Sequence, residues 1–201
     1  MHLFHVLLAC AITITVSATP VPDDGGPNYL PPKIIFPNYI VPINQSNPTY
    51  AGGTKYEGQM KYTGKPDQMR TLIGWDIPAD GPKNCIIKFE LSTEPGQAQN
   101  TWMASGGGKM NAYILSNNPR IDYRTISWDN RPLRSPLAAQ WSITQPISGG
   151  KAAITGTKIP CRRGDVFFIE LASDEQSYLY LKWFELTSPL NGITLEMSNS
   201  P

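Results

Sequence analysis

The side chains that could perform chemistry in this chain are few, because its only histidines, His2 and His5, lie in an amino-terminal segment predicted to be removed. Catalytic sites that pair serine or cysteine with histidine, and histidine-ligated zinc sites, all require an imidazole. The remaining candidates are carboxylates, and a glycoside hydrolase needs two of them about 5–10 Å apart. No pair stands out among the acidic residues near predicted strand ends, which are Asp76, Asp80, Asp129, Asp165, Glu170 and Asp174. Because such aspartates usually cap turns, the sequence favours a protein that is not an enzyme and needs no cofactor, with a carboxylate-dependent polysaccharide-cleaving enzyme as the least favoured alternative.

A glycine-rich stretch, Ser105–Lys109, invites comparison with a phosphate-binding loop. Such a loop needs serine or threonine after its lysine and a helix to follow. Met110 occupies that position, and the residues after it alternate like a strand. The stretch is therefore predicted to be a flexible hairpin entry into a strand.

Aromatic residues near the carboxyl end give the strongest indication of a binding surface. In residues 178–183, Leu179, Leu181 and Trp183 share one face of a strand, and Tyr178, Tyr180 and Lys182 share the other. If the leucine face is the core, the opposite face offers flat rings that stack on sugars or on a protein partner. Cross-strand pairing that only shields the backbone is the alternative. Three tryptophans either complete this surface or plug the ends of the fold: Trp102, Trp128 and Trp141.

The elements that must position these residues are strands. Apolar residues alternate with polar ones in Cys85–Leu91 and again in Val166–Leu171, which is the period of a half-buried strand. Turn-forming residues separate the candidate strands, which are 39–43, 53–62, 69–77, 85–91, 109–116, 123–128, 152–159, 166–171, 178–184 and 191–197. The sequence predicts an all-β fold, a single β-sandwich of jelly-roll type.

The amino-terminal residues predict export. The apolar run from Leu3 to Val16 is shorter than the ~20 residues of a membrane-spanning helix, and small residues suited to cleavage follow it. A signal anchor or a buried helix is the alternative. The predicted organisation is a signal peptide at 1–18, a Pro/Gly-rich flexible arm at 19–37 and a β-sandwich domain at 38–201. We therefore expect a secreted protein, extracellular or in a cell wall, with no membrane span.

Cysteine usage agrees with that compartment. Cys10 leaves with the signal peptide, and the two that remain, Cys85 and Cys161, suggest one intrachain disulfide, with two buried free thiols as the alternative. Two cysteines without histidine make a poor metal site. Asn44 begins an Asn-Gln-Ser sequon, so an exported chain is expected to be a glycoprotein.

Charge argues against a nucleic-acid partner. The chain has 17 basic and 16 acidic residues, whereas nucleic-acid binding usually needs a basic surface. The densest basic stretch holds Arg120, Arg124, Arg131 and Arg134, but Asp122 and Asp129 are interleaved with them. A solvated mixed face is the simplest interpretation of that stretch.

Five segments together resemble the But-two carboxyl-terminal domain family, which is widespread among secreted and cell-wall proteins of fungi. They are Ile40–Ile43, Gly53–Gln59, Leu72–Ala79, Lys83–Leu91 and Ile159–Asp165. The resemblance spans roughly residues 38–197 and implies a secreted β-sandwich in which Cys85 is joined to Cys161, with no established chemistry. The family takes its name from a protein that binds an activating enzyme for a ubiquitin-like modifier, a partner that predicted export argues against here.

A second, shorter resemblance lies in Thr125–Pro132, which is similar to the Trp-Asn-Asn-Pro signature of some carbohydrate-binding-like repeats. The alternative is a tryptophan packed over a tight turn. Taken together, the sequence predicts a secreted, non-catalytic recognition or adhesion module whose partner is a cell-wall or surface glycan. A secreted effector that binds a surface protein is the alternative.

Overall fold

The structure is a computed structural model and describes residues 32–64, 66–93, 101–116, 120–142 and 151–199. The predicted signal peptide and most of the predicted arm lie outside these residues. No helix occurs in the described ranges, so none of their segments is a helix that could cross a bilayer. The strands in chain order are β1 Lys33–Ile35, β2 Tyr39–Asn44, β3 Glu57–Tyr62, β4 Met69–Asp76, β5 Asn84–Ser92, β6 Trp102–Gly106, β7 Lys109–Leu115, β8 Arg134–Ser142, β9 Lys151–Pro160, β10 Val166–Ser173, β11 Leu179–Phe184, β12 Leu186–Thr187 and β13 Leu190–Ser198.

The strands form two curled antiparallel sheets. The smaller has the order β1-β13-β5-β9, with β12 also paired to β13. The larger has the order β6-β11-β3-β4-β10-β7-β8, with β2 also paired to β4. The inward side chains of both sheets form the main core, where Ile87, Phe89, Leu181 and Leu195 have no exposed surface. This arrangement confirms the predicted all-β sandwich.

A disulfide joins Cys85, at the start of β5, to Cys161, immediately after β9, with 5.2 Å between the Cα atoms. The two residues lie at the same end of neighbouring strands, because Cys85 pairs with Ile159 in the β5–β9 ladder. The predicted disulfide is confirmed.

A second hydrophobic cluster covers the outer side of part of the larger sheet, the side that faces away from the main core. Ile121, Ile126 and Trp128, from the loop between β7 and β8, pack there. The residues that they cover belong to β2, β4, β7 and β10, and are Val41, Ile43, Leu72, Leu115 and Phe168. The β4–β10–β7 half of this sheet is therefore buried on both sides.

The predicted strand 123–128 is wrong, because Asp122 holds these residues in a turn. Its carbonyl oxygen accepts hydrogen bonds from the backbone N–H groups of Thr125 and Ile126, and its carboxylate accepts one from Arg124. The alternation of side chains there reflects packing of a turn on the sheet. Strands β6 and β8 were not predicted.

The predicted boundary of the flexible arm at residue 37 is also too late. Residues Lys33–Ile35 form an edge strand paired with Leu195–Met197 of β13, and Ile35 packs against the main core. Backbone hydrogen bonds and one apolar contact order this short segment despite the prolines that flank it.

The glycine-rich stretch lies at a bend in one long two-stranded ribbon and does not form a hairpin. Strand β6 pairs with β11, and β7, which follows β6 after two residues, pairs with β10. The glycines lie where the first pairing ends and the second begins. At the bend, a Cβ on Gly106 would lie 2.2 Å from the carbonyl oxygen of Tyr178, and one on Gly108 would lie 3.0 Å from that of Ser177. Glycine is required here because the partner backbone approaches too closely for a side chain.

Candidate functional site

The outer side of strand β11 carries the predicted aromatic residues. Leu179, Leu181 and Trp183 are buried in the main core, as the alternation predicts. Tyr180 and Lys182 therefore face outward, and Tyr178, which precedes the strand, is 50% exposed. Ser105 of β6 is the register partner of Tyr180 and lies within 3.0 Å of the Tyr178 hydroxyl, which places both rings on the same side.

Neighbouring side chains hold this row in place. Gln59 Nε2 donates to the Tyr180 hydroxyl oxygen at 3.3 Å, and Lys182 Nζ lies 2.9 Å from Glu57 Oε2. Both partners belong to β3, the strand next to β11 in the sheet. Since these contacts restrict rotation, the side chains lose less entropy when they bind a ligand.

Two further apolar residues extend the row, Met103 on β6 and Phe184 at the end of β11, which are 54% and 38% exposed. Met103 is the register partner of Lys182, and the Lys182 ammonium lies 5.6 Å from the Phe184 ring centroid. We call the set Tyr178, Tyr180, Lys182, Phe184 and Met103 the aromatic face. Sequence reasoning missed Phe184, although it continues the same alternation, and it missed Met103 because β6 was not predicted.

The three predicted tryptophans lie elsewhere. Trp141 is 2% exposed and packs in the main core, so its ring offers no surface to a ligand. Trp128 is buried in the second cluster. Trp102 is half-buried, donates its indole N–H to the carbonyl oxygen of Ser92 at 2.7 Å and is the register partner of Trp183. The tryptophans complete the cores of the fold and do not extend the aromatic face.

Residues 125–130, which include Trp128, form a tight turn held together by the side chain of Asn130. Asn130 Oδ1 accepts hydrogen bonds from the backbone N–H and the hydroxyl of Ser127, and Asn130 Nδ2 donates to the Thr125 carbonyl oxygen. The likeness of this segment to a carbohydrate-binding signature is thus accounted for by a tryptophan packed over a turn.

Three arginines converge on one fully buried carboxylate. Glu170 Oε1 accepts hydrogen bonds from Arg70 Nη1 at 3.0 Å and from Arg134 Nη2 at 2.8 Å. The Nε atom of Arg131 lies 3.8 Å from Glu170 Oε2. The guanidinium groups of Arg70 and Arg131 also lie 4.4 and 4.2 Å from the centroid of the Trp128 ring. We call Arg70, Arg131 and Arg134 with Glu170 the arginine cluster. Its members come from β4, β8, β10 and the loop before β8. Sequence reasoning assigned Arg131 and Arg134 to a solvated mixed face and did not connect them with Arg70 or Glu170.

Glu185, between β11 and β12, is a buried carboxyl group. Its Oε2 atom accepts hydrogen bonds from the indole N–H of Trp183 at 3.3 Å and the backbone N–H of Ile193 at 3.1 Å. Its Oε1 atom has no hydrogen-bond partner among the described residues. Burial raises the pKa of Glu185 to about 8, against the smaller lowering by its two hydrogen bonds.

Three of the other candidate carboxylates, Glu170, Asp165 and Asp174, are engaged in contacts within the fold. Glu170 has no exposed surface and is held by arginines. Asp165 and Asp174 accept hydrogen bonds from nearby backbone N–H groups, those of Val166 and Gln176, as turn-capping residues do. These contacts give them structural roles.

The glycosylation candidate Asn44 ends strand β2, and its side-chain oxygen accepts a hydrogen bond from the backbone N–H of Ser46 at 2.8 Å. The asparagine is partly exposed, so its amide lies at the surface. Its modification stays a prediction.

Comparison with known proteins adds the family. No curated protein matches this chain in a sequence search. The family model described as the Ubiquitin 3 binding protein But2 C-terminal domain matches residues 35–189, which include every strand from β2 to β12. The chain belongs to the But2 C-terminal domain family.

Proposed function

We propose that this protein is a secreted, non-catalytic recognition module that binds cell-wall or surface glycans through the aromatic face. One observation carries the proposal. Tyr178, Tyr180 and Phe184 form a row on the outer side of the sheet, where Tyr178 and Phe184 are 50% and 38% exposed and Tyr180 is partly exposed. None of the three belongs to the cluster that the β7–β8 loop forms on the neighbouring half of the sheet.

The chemistry of the row suits sugars. Aromatic rings stack on the C–H faces of pyranoses, and hydroxyl, amide and ammonium groups exchange hydrogen bonds with sugar hydroxyls. Gln59, Lys61 and Ser105 lie next to the tyrosines on β3 and β6 and supply those polar groups. Large exposed apolar side chains in such a cluster are typical of interaction sites.

Export is supported by the disulfide, since disulfides persist mainly in oxidising compartments. The predicted signal peptide and the sequon at Asn44 point to the same route. The family description names a binding protein, which agrees with a recognition role and gives no ligand for this chain.

A protein partner is the second candidate, favoured by the exposure of Met103 beside Phe184. Methionine and aromatic side chains together adapt to varied protein surfaces and are enriched at interfaces. In that case the aromatic face would be the docking surface of a secreted effector.

Affinity electrophoresis of the full chain in gels containing soluble cell-wall glucan, chitosan or mannan tests the proposal. We expect retardation by at least one polymer. Tyr180→Ala should weaken binding about 3- to 10-fold, the loss expected for one stacking ring. Tyr56→Ala is the matched control, because Tyr56 is an 87% exposed tyrosine outside the aromatic face.

Two results would contradict glycan recognition: no retardation by any polymer, or equal retardation of the wild type and Tyr180→Ala. If crosslinking then captures one polypeptide partner from a surface extract, and Tyr180→Ala abolishes the capture, the protein-binding candidate replaces it.

A further inference from the structure

A cleft opens beside the arginine cluster, with a volume of about 660 Å³. Its lining residues are Arg70, Asp129, Arg131, Pro132, Leu133 and Arg134. Three of these six side chains are arginines, and the carboxylate that they surround, Glu170, is fully buried behind them. Arginine side chains therefore contribute half of the residues that line the cleft.

The arginines have more hydrogen-bond donors than the protein satisfies. The side chains of Arg131 and Arg134 are 25% and 26% exposed, and neither pairs with a carboxylate other than Glu170 among the described residues. Each guanidinium carries five N–H donors. Arg134 donates one to Glu170 and Arg131 donates one to the carbonyl oxygen of Trp128, while Arg134 Nε is buried without a partner among the described residues.

Like charges crowd within the arginine cluster: three guanidinium groups surround one buried carboxylate, and the two other carboxylates nearby, Glu175 and Asp129, lie at its periphery. Burial lowers the pKa of Arg70, and repulsion from Arg134 and Arg131 lowers it further, whereas the attraction of Glu170 raises it. Glu175, 41% exposed, pairs with Arg70 at 2.8 Å on the side of the loop that leads into β11. The guanidinium groups of Arg131 and Arg134 thus share the Glu170 carboxylate with Arg70. An anion bound in the cleft would relieve the repulsion between these guanidinium groups.

We propose that the arginine cluster binds the carboxylate of an acidic sugar, so that the glycan recognised by this protein contains uronic acid. The guanidinium groups of Arg131 and Arg134 supply the planar N–H pairs that match a carboxylate. Pro132 and the 87% exposed Leu133 give the apolar wall on which a sugar ring can rest. This inference rests on the proposed glycan recognition and specifies its ligand class.

Asp129 provides an internal test, because it is the one exposed acidic residue in the lining. Its carboxylate repels an anion in the cleft, and its observed backbone contact, N–H to the carbonyl oxygen of Pro48, does not involve the side chain. Asp129→Asn should therefore tighten binding of an acidic sugar without disturbing the fold.

The probe is trigalacturonate, titrated calorimetrically into the full chain at low ionic strength, with its carboxyl-reduced derivative as the matched neutral ligand. We expect the acidic form to bind more tightly than the reduced form. Arg131→Gln should weaken acidic binding about 10- to 100-fold, the loss of one or two charge-assisted hydrogen bonds. Asp129→Asn should strengthen it several-fold. Near-ultraviolet circular dichroism of each variant verifies the fold.

Equal affinity for the acidic and reduced forms, or no effect of Arg131→Gln and Asp129→Asn, would overturn the inference. Displacement of trigalacturonate by inorganic phosphate at lower concentration would assign the cluster to phosphate groups and overturn it as well. The wild type could instead bind neutral glycans in a Tyr180-dependent way and show no preference for the acidic form. That result would leave glycan recognition intact and refute only the uronate assignment. Acidic binding that needs Arg131 but not Tyr180 would support the cluster and count against the aromatic face.

Discussion

Replacing the buried Glu185 with glutamine should remove much of the pH dependence of this protein's stability. In the folded chain the carboxyl group is desolvated, and only its Oε2 atom has hydrogen-bond partners among the described residues, Trp183 and Ile193. The neutral acid is therefore favoured, and the pKa lies near 8. In the unfolded chain water restores the usual value of 4.5. The Glu185→Gln side chain keeps the acceptor oxygen and cannot ionise, so the variant isolates the cost of the charge.

The sign follows from the raised pKa. Below about pH 4.5 the group is neutral in both states, and its contribution to stability is complete. Between about pH 4.5 and 8 the unfolded chain releases its proton and the folded chain does not, so the free energy of unfolding falls as pH rises. The gap between 4.5 and about 8, at about 1.4 kcal/mol per pKa unit, gives a total loss of roughly 4–5 kcal/mol.

Urea unfolding at several pH values from 4 to 9 measures this effect. The variant's free energy of unfolding minus that of the wild type should rise by roughly 4–5 kcal/mol across the range. The new amide N–H groups near the Oε1 site lower the variant's free energy of unfolding by about 1–3 kcal/mol at every pH. The test is therefore how the difference between variant and wild type changes with pH, and not its value at any one pH. Asp80→Asn, at an exposed loop carboxylate, is the control and should leave the slope unchanged. Parallel pH profiles of the wild type and Glu185→Gln would refute a carboxyl group whose pKa is raised by burial.

Three further predictions concern the disulfide, the ribbon bend and the sequon. Reducing the Cys85–Cys161 disulfide should lower the free energy of unfolding by about 4–5 kcal/mol, because it closes a loop of 76 residues; urea unfolding with and without reductant measures the loss, and an unchanged midpoint would contradict it. Gly106→Ala should lower Tm, because the new Cβ would meet the Tyr178 carbonyl oxygen at 2.2 Å and the backbone φ is +88°; an equal or higher Tm would refute the close approach. Asn44→Gln should remove a glycan-sized mass from the chain secreted by a eukaryotic host, as intact-mass spectrometry would show, and identical masses would mean that the sequon is not used.

The parts of the fold that could be predicted are strands with one buried face. In Cys85–Leu91 every second residue is buried in the main core, so a period of two was enough to place the strand and its faces. The same alternation holds for β11, where Leu179, Leu181 and Trp183 are buried and Tyr180 and Lys182 lie on the other face. Local alternation contains this information because burial of one face imposes it.

The parts that could not be predicted depend on distant partners. Strand β8 contains Pro136, which argues against a strand, but it lies at the end of the larger sheet and the proline falls where the β7–β8 register shifts. Met103 joins the aromatic face only through pairing with a strand about 80 residues later in the chain. Arg70 meets Glu170 across 100 residues. No local pattern encodes such pairings.

The two proposed contact surfaces depend on different forces, and this difference is what makes their roles separable. Stacking on Tyr178 and Tyr180 arises from removal of apolar area and from dispersion, which salt changes little. Attraction to Arg131 and Arg134 is Coulombic and is screened over about 8 Å at physiological ionic strength, though less where the groups are three-quarters buried, as they are here. A ligand held by both surfaces should therefore lose only part of its affinity as salt rises, and the part that remains belongs to the aromatic face.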